Sequence, residues 1–200
     1  GLSAIALLVT ASFFAMQAVI SEQRNYYNLV KLASQQNAII NRIAYFATLM
    51  VATEDEDEFD AARSQLGRSI NLLKTTHEKV YRGSVEDNIP FVINDNLKLI
   101  YDDASVGLRQ AISTFIEHAQ SIYDTDIEQL GPNTYAFIYL TTYGPHALEP
   151  MIKSALDEYE IIGREAIVHI EELEKYIWFA ALVTLFFEVL LIFRPLESRI

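Results

Sequence analysis

Cysteine is absent from these 200 residues, which removes a disulfide framework, a thiolate metal site and a cysteine nucleophile together. Positive charge is scarce: 15 Lys and Arg stand against 27 Asp and Glu, a net charge of -12. Such a chain repels nucleic acid and anionic lipid surfaces, so no nucleic-acid partner is expected. No Gly-rich phosphate loop, nucleophile elbow or paired-histidine metal motif occurs, and the carboxylates are spread along the chain rather than paired. These absences argue against an enzyme within this stretch and against a resident cofactor.

What the chain does have is apolar length at both ends. Residues 2–20 and 177–193 are two stretches of nearly twenty apolar residues, and the only formal charge in either is Glu188. At 1.5 Å per residue each is about long enough for a ~30 Å hydrocarbon core, so the pair is expected to form two transmembrane helices. Arg194 and Arg199 follow the second stretch, placing the C-terminus in the cytoplasm and residues 21–176 outside. A cleaved signal peptide is the alternative for the first stretch, but it lacks a basic n-region and a clear cleavage site.

Between the stretches the apolar spacing is helical. Tyr26, Leu29, Ala33, Gln36, Ile40, Ile43, Ala47 and Met50 recur at intervals of three and four, a heptad seam. A second seam runs through Phe59, Ala62, Leu66, Ile70, Leu73, His77 and Val80. A third takes Leu97, Ile100, Ala104, Leu108, Ala111, Phe115, Ala119 and Ile122. The fourth takes Leu148, Ile152, Ala155, Tyr159, Ile162, Ala166, Ile170, Leu173 and Ile177 and enters the second apolar stretch without a breaker. Strand-like alternation is not sustained anywhere. The fold expected is all-α: a membrane-anchored antiparallel four-helix bundle, its transmembrane helices continuous with helices one and four. The segments are 1–20, first span; 21–176, periplasmic bundle; 177–193, second span; and 194–200, the start of a cytoplasmic segment.

Local signals set the expected breaks. Thr53 with Glu56 has the pattern of a capping box opening helix two, Gly83 ends that helix, and Asn88 and Pro90 stand where helix three is expected to begin. The aromatic run 135–143, bounded by Gly131-Pro132 and Gly144-Pro145, reads as a short apolar helix capping the bundle end.

Residues 32–45, with Ser34 before Gln35-Gln36 and Arg42-Ile43-Ala44 near the close, resemble the helix-one signature of the PilJ-type chemoreceptor sensor domain, related to the nitrate/nitrite sensor kinases. The closing residues 193–200, with Arg194-Pro195-Leu196 and Ile200, resemble the entry to a HAMP-type signalling helix. The resemblance implies the sensor and membrane portion of a bacterial inner-membrane receptor. It implies a homodimer, with a small periplasmic ligand or a periplasmic protein as partner, and a histidine kinase, chemoreceptor or diguanylate cyclase output downstream. It also implies a ligand patch at Gln36, Asn37, Asn41 and Arg42. The family's anion-binding arginine is replaced here by Asn37, its glycine by Ser34 and its Met-Leu by Ala38-Ile39, so nitrate is not the ligand expected.

Alternatives stand beside these readings. Gln36 on a seam fixes register as readily as it binds, and Asn37, Asn41 and Arg42 serve equally as solvated residues. His77 reads as a satisfied core residue, and His118, His146 and His169 lack zinc spacing. The acidic run 54–60 reads as a solvated helix start, where the helix dipole favours negative charge, rather than a calcium site. Glu188 and Pro195 are the candidates for signal transmission. The runner-up function is a membrane-anchored helical interaction or dimerisation module without a small ligand.

Overall fold

In the computed structural model the backbone is described for residues 2–103 and 105–197, and side chains for the same residues except 2–9, 169–171, 173–174 and 188–197. Six α-helices account for most of it: α1 Leu2–Ala52, α2 Glu56–Arg82, α3 Asp95–Asp102, α4 Leu108–Tyr123, α5 Tyr135–Ile138 and α6 Gly144–Glu197. A π-helical turn, Tyr139–Tyr143, joins the last two. There is no strand among the described residues, only an isolated bridge between Ser84 and Ile89.

The chain divides into two units, one of Tyr26–Glu160 and one of Gly1–Asn25 with Ile161–Ile200. The Tyr26–Glu160 unit holds the core, and its cross-links fix an up-down-up-down order. On α1 and α2, Asn28 meets Asp87 beyond the end of α2, Gln36 meets His77, and Arg42 meets Gln65, so the two helices run in opposite directions. Arg63 on α2 holds the Tyr123 carbonyl at the end of α4, while Tyr81 reaches Asp102 at the end of α3. Tyr101 and Asn94 meet Tyr159 and Glu158 on α6.

Much of the helical seams is where the spacing puts it, although Tyr26, Ile162, Ala166 and Ile177 are only half-buried and the side chains of Ile170 and Leu173 lie outside the described residues. Leu29, Ala33, Gln36, Ile40, Ile43, Ala47 and Met50 are all buried, as are Phe59, Ala62, Leu66, Ile70, Leu73 and Val80. Leu148, Ile152, Ala155 and Tyr159 close the core from α6. Helix three differs from expectation, because it breaks after Asp102 and resumes at Leu108. Asp103 Oδ1 accepts from both the backbone N–H and the hydroxyl of Ser105, an Asx turn that competes with helix. Gly107 then passes so close to the Tyr101 carbonyl oxygen that a Cβ has no room. The break rotates the seam, burying Tyr101 and leaving Ile100 half-exposed; Ala104 lies outside the described residues.

The caps also move. Asp55, not Thr53, caps α2, its Oδ1 accepting from the Glu58 N–H at 2.9 Å, while the Thr53 hydroxyl donates to the Glu58 carboxylate. The α3 cap is Asn94, several residues beyond Pro90, because residues 84–89 first close a tight turn with Asn88 at φ 54°. Gly144 begins α6 rather than interrupting it: a side chain there meets the Phe115 ring, so only glycine lets α6 start against α4.

The two expected membrane spans require correction. Among the described residues no helix is long and apolar enough to cross a membrane. The parts of the two apolar stretches whose side chains are described, 10–20 and 177–187, are each about half the roughly 20 residues a crossing takes. Residues 2–9 and 188–193, on which the rest of each expected span falls, lie outside that description. The membrane-anchored form of the fold, the membrane as a partner and the inner-membrane placement with a periplasmic bundle are therefore not sustained. The all-α class is.

Candidate functional site

The four residues of the expected ligand patch differ in exposure along α1. Gln36 is buried at 1 % exposure, Asn37 is half-buried, and Asn41 and Arg42 are exposed. Arg42 makes a long 3.5 Å hydrogen bond to Gln65 and lies over the Phe46 ring, 5.7 Å from its centroid. Asn37 and Asn41, four residues apart, share one face of α1, while Gln36 is turned into the core. Glu188 and Pro195 lie outside the residues whose side chains are described.

What the structure does build is a polar insertion into the core around His77. The Nδ1 of His77 lies 3.2 Å from the Gln36 side-chain oxygen, linking α2 to α1 inside the bundle. An amide oxygen only accepts, so with that oxygen facing the ring Nδ1 carries the proton. His77 is 7 % exposed, and its pKa is lowered to about 4 by burial and then by the nearby Arg109 charge. The ring is accordingly neutral at pH 7, and Nε2 is a bare acceptor. That nitrogen is buried and has no hydrogen-bond partner.

Aromatic rings surround the imidazole. Tyr81 stacks parallel to it at 6.3 Å and Tyr101 lies at 5.9 Å. The Tyr159 hydroxyl donates to the Tyr101 oxygen at 3.1 Å and approaches the Val80 carbonyl at 3.4 Å. Burial drives the Tyr101 pKa well above the usual range for a phenol and that of Tyr159 to about 12, so both stay protonated and serve as hydrogen-bonding core residues.

His77 also lines a cleft of about 390 Å³ between α2 and α4, with Lys74 and Glu78 from α2 and Arg109, Ser113 and Glu117 from α4. The apolar wall is Ile112 and Ile116. Arg109 pairs with Asp102 at 2.9 Å and lies over Tyr81, and Glu78 pairs with Arg82 at 2.9 Å. Lys74 makes no ion pair with a described residue, and among the described residues Glu117 is met only by the Ser113 hydroxyl at 3.3 Å. Ser113 is thus turned to a carboxylate. The described residues contain no group of His, Cys, Asp or Glu able to hold a metal.

His77 is buried on its seam as the spacing expects, but it is not satisfied, since Nε2 has no partner. The signal for its incompleteness, a polar residue facing Gln36 across two seams with one nitrogen left over, depends on register between helices. A second histidine, His118, has its ring 4.3 Å from Tyr139 and 5.3 Å from Tyr135, so the aromatic run 135–143 closes over α4 with Ala136 and Leu140 buried.

No family model, no curated protein and no solved structure matches the chain. With no such match, and no membrane-crossing helix among the described residues, the reading of the chain as a receptor passing a periplasmic stimulus across an inner membrane is not supported.

Proposed function

We propose that the chain is a binding module rather than a catalyst: a helical bundle that takes a small polar ligand in the cleft between α2 and α4. The observation that carries this reading is the unpartnered Nε2 of His77, a buried acceptor beside a cleft. Leaving a buried polar atom unsatisfied costs about 1–3 kcal/mol, so each such atom in a folded protein calls for an explanation. A ligand bearing a hydrogen-bond donor supplies one.

The test is thermal denaturation of the chain against a panel of amines, amino acids, organic acids, sugars and inorganic anions. Binding to the folded state raises the melting temperature. The variant that isolates the site is the double replacement Gln36→Leu with His77→Leu, because removing both partners of a buried polar pair is far less damaging than removing one. The expected result is a ligand-dependent rise in the parent that disappears in a folded double variant. A rise that survives the replacement, or a panel that shifts nothing, overturns the assignment.

A further inference from the structure

We infer that the ligand of this cleft is a free α-amino acid with an apolar side chain, an inference that rests on the binding site proposed above. The chemistry of each wall sets one requirement. His77 donates through Nδ1 to Gln36, and its Nε2 only accepts, so the group that satisfies it must be a donor. Glu117 is a second acceptor in the same cleft, and its only described partner is a neutral hydroxyl. Together they suit an ammonium group, which offers three donors and a positive charge.

The opposite requirement comes from Lys74. It lines the same cleft, carries a positive charge and has no ion pair among the described residues, and Arg109 beside it is held by a single carboxylate. These side chains suit a carboxylate. Lys74 and Glu117 share one cleft without pairing to each other, so a ligand with an anion at one end and a cation at the other answers both. An uncompensated simple anion leaves Glu117 and Nε2 unanswered, and a simple amine leaves Lys74. Ile112 and Ile116 provide an apolar wall for the rest of the molecule. Nε2 is sealed from solvent, so the lining of the cleft must shift for a donor to reach it.

Three related compounds separate the requirements: leucine, its decarboxylated analogue isoamylamine and its deaminated analogue 4-methylpentanoate. Calorimetric titration of the whole chain should show leucine binding at least tenfold more tightly than either analogue. Glu117→Gln should weaken leucine and isoamylamine about tenfold and leave 4-methylpentanoate unchanged. Lys74→Gln should weaken leucine and 4-methylpentanoate and leave isoamylamine unchanged. Both positions are exposed, so both variants are expected to fold. Equal affinity for leucine and 4-methylpentanoate, or leucine binding indifferent to both replacements, overturns the inference. If another ligand class in the thermal panel acts through His77 while no amino acid binds, the amino-acid assignment falls and the site stands. If no response depends on His77, both fall.

Discussion

The two units of this chain use apolar residues in opposite ways. In Tyr26–Glu160 the large aliphatic side chains on the helical seams are buried, with Leu29, Ile43, Leu66, Leu73, Leu108 and Phe115 fully enclosed. In the described part of the other unit many large apolar side chains are exposed, Phe14 by 65 %, Phe179 by 68 % and Phe186 by 63 %. Both units are built from long helices; the difference lies in periodicity. Where polar residues return every third or fourth position, a helix has an inside and an outside. Where a stretch is apolar on every face, its helix has no preferred side to bury. The folding free energy is therefore concentrated in residues 26–160, which also hold the candidate site.

The largest effect that sharpens the contrast is at Phe115. Its ring is fully buried, and it leaves no room for a Cβ at Gly144, where α6 starts. Phe115→Ala is expected to cost about 3–5 kcal/mol in urea denaturation, as large aromatic truncations in packed cores do. A loss under about 1 kcal/mol means that the core is elsewhere, and the contrast between the units fails.

The next effect comes from His77 and has a defined sign. Its pKa is lowered from 6.5 to about 4 in the folded chain, so as pH falls through 6.5 the unfolded chain takes up a proton that the folded chain refuses. Stability is fully present above about pH 6.5, is lost progressively down to about pH 4, and loses nothing more from this group below that. Between pH 7.5 and 5 the loss is expected to be about 2 kcal/mol. The Gln36→Leu, His77→Leu double variant should show that much less dependence over the same interval. Parallel curves for parent and variant would mean that the imidazole is not held neutral by its surroundings.

How far these features could be read in advance follows from the range of the interactions involved. Heptad spacing is local, so the buried faces of α1, α2 and α6 were legible residue by residue, from Leu29 to Met50 and from Leu148 to Tyr159. The break at 103–107 was not, because Asp103 and Ser105 fit a helical pattern and only Gly107 hints at the close pass over the Tyr101 carbonyl. The helix-two cap was off by two positions because Thr53 and Asp55 are both good caps, and the choice rests on which oxygen meets the Glu58 N–H. The cleft was invisible for a different reason. Lys74, His77, Arg109 and Glu117 come from two helices, and their meeting depends on how α2 and α4 are staggered. The ligand patch lies on a single helix, where only Asn37 and Asn41, four residues apart, share a face, and Gln36 is turned inward.

The smallest expected effect on stability tests the other side of the comparison. Phe179 and Phe186 are mostly exposed, and side chains already in contact with solvent contribute little to folding, so Phe179→Ser with Phe186→Ser should shift stability by no more than about 0.5 kcal/mol. Their surface should matter for association instead. Several large apolar residues of 176–187 are exposed together, and apolar surface of that kind drives protein chains into contact in water. Sedimentation of the chain in aqueous buffer is therefore expected to show self-association that the double serine variant reduces, while its urea transition stays in place. A destabilisation beyond about 1 kcal/mol would show that these rings carry folding energy after all. The division between an inward-facing unit and an outward-facing one would then describe spacing in the sequence and not the distribution of stability.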